Sequence, residues 1–168
     1  MRTADEVLGM RSIDHAIRLT ESIREGLAAE VALARDERVL IRKMDADGLN
    51  QRALKRADFN QRTSRLMSEL GETLGAAARE LGLSGGVTLD ALQARVPVEG
   101  RRMAALLAEV RALAAALAEL DSLNRMLGQR ALSYVRAHLA VLSPRPAAYD
   151  RRGGGAAPAR ASTFVKVA

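Results

Sequence analysis

From Leu106 to Val141 one kind of position recurs at alternating steps of four and three: Leu106, Val110, Leu113, Leu117, Leu120, Asn124, Leu127, Ala131, Tyr134, His138 and Val141. The spacing places these residues on a single helical stripe for about five heptads, with no proline and one glycine, Gly128. A helix of that length with one apolar stripe needs other helices to pack against. It ends at Leu142-Ser143-Pro144, and a Gly/Pro/Ala/Arg tail carrying one tyrosine, Tyr149, follows. A long helix in need of partners and a soft tail suit a protein that binds other proteins. They do not suggest an active site.

The upstream sequence reads the same way. Thr3 and Glu6 have the spacing of a capping box, and Ile13, Ile17, Ile23, Leu27, Val31, Ala34, Ile41 and Met44 form the apolar face of a first helix. Asp45-Ala46-Asp47-Gly48 breaks that pattern with turn formers, and a tight reversal is preferred there over a kink, with Asp47 as the expected cap. The second helix places its apolar residues at its ends, Leu49, Ala53, Leu54 and Ala57, then Leu66 to Leu81. Its middle, Lys55 to Arg65, is polar apart from Ala57 and Phe59, so it is expected to be solvated or to face a partner. Phe59 itself is expected to pack at a helix interface. Ser84-Gly85-Gly86 is a stop, Thr88 caps a short helix, and Pro97 fits the first turn of the long last one.

The expected fold is therefore all-α: an antiparallel bundle of three long helices, over about 3–44, 49–83 and 98–142, joined by a short connecting helix over about 89–95. The bundle occupies residues 1–143, and residues 144–168 are a flexible, disordered C-terminal tail. Aromatic residues make up only 2% of the chain, so Leu, Ile, Val, Met and Ala must fill the core. Abundant alanine and few β-branched runs favour helix throughout.

Charge and composition narrow the function classes. The chain has no cysteine, which removes disulfides, thiolate metal sites and cysteine nucleophiles together. No apolar run approaches the ~18 residues of a membrane span, and acidic residues near the start do not suit a signal peptide, so a cytoplasmic protein is expected. Net charge is +6. The tail from Ser143 contributes four of that surplus, leaving the helical body nearly neutral, so nucleic acid is not the expected partner. His15 and His138 should lie at opposite ends of a bundle about 50 Å long, too far apart to share a metal or a proton. The glycine runs follow no strand and cannot be phosphate loops. No enzyme, no cofactor, no metal and no small-molecule substrate are expected.

Two features of the last helix remain. Asn124 interrupts the stripe, and a buried amide at such a position fixes register at some cost in stability; the alternative is that it satisfies backbone of an incoming partner. Beside the stripe runs a second apolar strip, Leu123, Leu132, Val135, Leu139 and Leu142. Three helices cannot readily cover both, so the strip is the expected dock for an amphipathic helix of another protein.

The order of these parts resembles the FlgN family of flagellar type III export chaperones. The likeness is carried by Glu37-Arg38-Val39-Leu40-Ile41, the acidic turn Asp45 to Gly48, and Leu49 and Leu54 followed by Lys55. It is carried more fully by Leu123-Asn124-Arg125-Met126-Leu127, by Ser133-Tyr134-Val135-Arg136-Ala137-His138-Leu139, and by Tyr149-Asp150-Arg151-Arg152-Gly153. The resemblance implies a cytoplasmic chaperone that holds hook–filament junction proteins by their C-terminal helical segments, prevents early assembly and delivers them to the export gate. On that reading Leu123, Asn124, Leu127, Leu132, Val135, Leu139 and Leu142 bind the client. Tyr149, Asp150 and Gly153 dock on the cytoplasmic domain of the gate. A monomer or weak homodimer is expected. The competing readings are a self-associating coiled-coil protein built on the same stripe, and a basic nucleic-acid-binding helical protein.

Overall fold

The computed structural model describes residues 4–83 and 87–142, with side chains from residue 9. Every element among them is a helix: α1 (Ala4–Lys43), α2 (Ala46–Glu80), α3 (Leu89–Arg95) and α4 (Pro97–Leu142). The expectations for Thr3, for Ser84-Gly85-Gly86 and for residues 143–168 lie outside the described residues.

The turn between α1 and α2 is set by backbone geometry. The amide of Asp45 donates to the carbonyl of Leu40 at 3.0 Å and that of Met44 to Ile41 at 3.1 Å, the paired bonds that close a Schellman C-cap. Met44 occupies the left-handed position usually given to glycine, with φ of 53°. The next helix starts at once, because the Asp45 carboxylate accepts from the Gly48 amide at 2.9 Å. The cap is therefore Asp45 and not Asp47, which instead lies in the first turn of α2. An aspartate immediately after the left-handed residue needs no spacer, and the chain reverses there.

Cross-helix pairs fix the directions. Ser12 reaches Glu80, His15 reaches Glu69 and Glu30 reaches Arg56, so α1 and α2 are antiparallel. Glu21 meets Arg102 and Ala34 meets Asn124, so the first part of α4 runs parallel to α1. One apolar cluster joins Ile13, Ala16, Ile17, Ala77, Leu81, Leu92, Met103 and Leu106 from all four helices. A second joins Ile23, Leu27, Val31, Ala34, Phe59 and Leu117. Ala16, Ala34 and Ala77 are fully buried, which is how a core almost free of aromatics reaches close packing. Phe59 packs in the second cluster, as expected of it.

Thr88 caps α3 by accepting from the Ala91 amide at 3.2 Å. Pro97 then opens α4, where its missing N–H has no helical partner to lose. The α3–α4 corner is tight at Gly100. A Cβ there would lie 2.7 Å from the Cα and 2.8 Å from the N of Gln93, both backbone atoms that cannot move aside alone. Gly100→Ala is expected to destabilise the fold by about 1–3 kcal/mol through overpacking, despite alanine's better helix propensity. Thermal unfolding followed by circular dichroism checks this.

Clustering of contacts divides the chain at Ala131 and Leu132. Up to Ala131, α4 buries Gly100, Met103, Leu106, Leu117 and Asn124. Of the described residues from Leu132 to Leu142, only Val135 is half-buried and the rest are exposed, including the stripe positions Tyr134, His138 and Val141.

Candidate functional site: a buried polar layer, a cleft and an exposed apolar strip

Most of the polar middle of α2, Lys55 to Arg65, is exposed as expected, but Phe59 is buried, Arg56 is half-buried, and just ahead of it Arg52 lies inside the bundle. Arg52 is buried (7% exposed) and its Nη2 donates to Glu30 Oε1, on a carboxylate that is itself only 2% exposed. Arg56 Nη1 donates to the same Glu30 oxygen at 2.7 Å, and its Nη2 donates to Asp121 of α4. One carboxylate thus holds two guanidinium groups, and one of those reaches the third helix. Burial works to lower the pKa of Arg56, but its hydrogen bonds and charge contacts with Glu30 and Asp121 together outweigh it and hold the value above the ordinary one. The planar, delocalised guanidinium is the cation suited to such a shared site.

Asn124 completes the layer. Its Nδ2 donates to the carbonyl of Ala34 at 2.7 Å, and its Oδ1 accepts from Arg38 Nε at 3.3 Å. The amide is bonded at both ends to α1, so it sets the register of α4 against α1. The sequence pattern contained this layer in a form that is easy to misread. Glu30 falls between Ile23, Leu27 and Ala34 at steps of four, three and four, and Arg52, Arg56 and Phe59 share the same kind of spacing.

A cleft of about 450 Å³ opens beside this layer, walled by the end of α1, the start of α2 and the middle of α4. Ile41, Leu49, Ala53 and Gly128 supply its apolar wall, with Arg52, Arg125 and Asn124 among its polar residues.

The seven α4 residues expected to bind a client fall into different environments. Asn124 is engaged as described, and Leu127 is half-buried. Leu123 is exposed and so are Leu132 (49%), Leu139 (56%) and Leu142 (76%), whereas Val135 is half-buried. Leu132, Leu139 and Leu142 are thus open leucines within one short stretch of helix. Tyr149, Asp150 and Gly153 lie outside the described residues.

Neither histidine is part of the polar layer or the cleft. His15 Nε2 lies 3.1 Å from Glu69 Oε1 at the surface, and His138 lies against Tyr134 on the same helix, with ring centroids 4.1 Å apart. Among the described residues no group of His, Asp and Glu is placed to hold a metal ion, and no helix is long and apolar enough to cross a membrane.

Against known protein families, the chain matches the family described as FlgN protein over residues 10–156. The chain belongs to the FlgN family. The match takes in all of α2, α3 and α4 and runs on through Tyr149, Asp150 and Gly153. No curated protein and no solved structure matches the chain. Membership of the FlgN family supports a flagellar export chaperone, a role that needs protein-binding surface and no catalyst.

Proposed function

We propose that this FlgN family member is a cytoplasmic chaperone for hook–filament junction proteins. It holds their C-terminal helical segments on the exposed face of α4, prevents their early assembly, and delivers them to the cytoplasmic domain of the export gate. The observation that carries this reading is the group of open leucines from Leu132 to Leu142 on a helix otherwise well able to bury such residues. An amphipathic client helix would cover them, together with Val135, as i, i+3, i+4 anchors, and Leu123 and Leu127 are further client contacts on the preceding part of α4. A stable complex of this kind buries about 1,200–2,000 Å² in total, and the binding needs no nucleotide or metal.

Delivery rests on the segment after α4. Tyr149, with Asp150 and Gly153 beside it, is assigned to the gate, because a large amphipathic ring is a common anchor in protein interfaces. The client and the gate would anchor on different residues but overlap in the surface they cover, and release follows from that competition without hydrolysis.

The test is to mix the purified chain with the junction proteins and the gate domain of the same organism and measure affinities by isothermal titration calorimetry. A complex with a junction protein supports the reading, and absence of any complex overturns it. Tyr149→Ala is expected to leave client affinity unchanged and to weaken gate docking about tenfold or more, the loss typical of an anchor residue. Unchanged affinity for the gate domain would remove Tyr149 from that role.

A further inference from the structure

Two features of the cleft beside the polar layer go unused by the fold. The first is Arg52. Its Nη2 holds Glu30, but Nη1 is buried with no hydrogen-bond partner in the protein, and Nε, also without one, lies 3.5 Å from the nearest Glu37 oxygen. Buried donors of this kind are costly unless an acceptor reaches them, and more so on a charged group. The second is Gly128, the one glycine in the long stripe of α4. A glycine inside a helix destabilises it relative to alanine, and close packing does not explain this one, since a Cβ there would meet nothing within 4 Å. Gly71 is equally open, but it borders no cleft among those described, whereas Gly128 forms part of this wall.

The charges decide what fits. Around the cleft Arg52 and Arg56 are matched by Glu30, Glu37 and Asp121, so Arg125 is the cation there with no ion pair among the described residues. Arg52 also borders a neighbouring cleft on the other side of α2, but there Asp36, Glu37 and Asp45 outnumber Arg52 and Lys55. Arg125 and the unmet N–H groups of Arg52 favour an anionic group in the first cleft, whereas the second repels one. Ile41, Leu49 and Ala53 add an apolar wall that suits the carbon stem of a side chain better than a free ion.

We propose that this cleft is a subsite for an acidic side chain of the client protein, whose carboxylate accepts from Arg52 and Arg125 while its backbone passes close to Gly128. The inference rests on the chaperone reading and adds a polar anchor to it. Leucines on α4 would supply area, and the cleft would supply selectivity, because a segment lacking the carboxylate leaves two N–H groups of the buried Arg52 without an acceptor.

The experiment uses the full chain and the C-terminal helical segment of its junction-protein client as a peptide, with affinities from calorimetry. Gly128→Phe, which fills the cleft, is expected to weaken binding about tenfold or more, while the thermal midpoint stays close to that of the unaltered chain. Gly71→Ala, at an equally open helical glycine away from this cleft, serves as the folding control and should bind normally with a midpoint equal or higher. Changing each Asp and Glu of the peptide to its amide should identify one position whose loss is also about tenfold. That loss should vanish when measured against Gly128→Phe.

If the unaltered chain does not bind the peptide, the chaperone reading falls and the subsite falls with it. If the chain binds but Gly128→Phe and every amide peptide bind equally well, the subsite alone is overturned. A loss seen only on amidation of the peptide's terminal carboxylate would also overturn it, because the source would then be the chain end.

Discussion

Glu30→Ala is expected to lower the unfolding free energy by about 3–5 kcal/mol, the range for removing one partner of a buried ion pair. The chain would lose an acceptor that two guanidinium groups share: Arg52 Nη2 and Arg56 Nη1 both donate to Glu30 Oε1. Arg56 would retain Asp121. Arg52 would retain only the 3.5 Å approach of its Nε to Glu37, inside a site where it is 7% exposed. Against a total stability of about 5–15 kcal/mol for a domain of ordinary size, a loss of that order removes a large part of the whole. Urea unfolding followed by far-ultraviolet circular dichroism measures it.

The same physics predicts a rescue. Exchanging both members of a buried pair for apolar residues of similar volume is often neutral or stabilising. Glu30→Leu combined with Arg52→Met should therefore recover most of what Glu30→Ala loses. The coupling between the two sites, read from the double-mutant cycle, should exceed 1 kcal/mol, as for residues in direct contact. A loss below about 1 kcal/mol for Glu30→Ala, the level of an exposed pair, would show that the layer is hydrated in solution. In that case Arg52 would have no unmet hydrogen-bonding need, and the proposed acidic anchor would lose its main physical support.

How far the sequence revealed this layer depends on which signal is followed. The apolar rhythm of α1 and α4, the Gly-Gly break and Pro97 lead to the right all-α bundle, because periodicity and backbone chemistry are local. The cap at Asp45 was displaced by two residues because several Asp and Gly positions in that turn offer similar capping chemistry. The error in α2 has a deeper cause. Ala53, Leu54 and Ala57 are the apolar residues near its start, yet all three are exposed and the buried positions nearby are Arg52 and Phe59. Hydrophobicity alone turned the helix the wrong way. Only the charges on α1 and α4, Glu30 and Asp121, make Arg52 and Arg56 acceptable inside, and that complementarity is spread over three helices. The dual bonding of Asn124, by contrast, follows the expectation that a polar break in a stripe fixes register.

Leu132→Asp together with Leu139→Asp should cut affinity for the junction proteins by about 100-fold or more while leaving the bundle helical. Burying one leucine is worth about 1.5–3 kcal/mol, so two lost contacts account for that factor before the cost of desolvating two new carboxylates is added. The chain alone should barely notice, because both side chains are already about half open to solvent and solvent-facing substitutions usually stay within about 0.5 kcal/mol. That asymmetry is what separates a client surface from a structural one. If the strip instead serves a second copy of the chain, sedimentation equilibrium at micromolar concentration should show a dimer that the double substitution dissociates. If the substituted chain still captures junction proteins in a calorimetric titration, the open leucines of α4 are not where the client sits, and the contact must be sought elsewhere on the bundle.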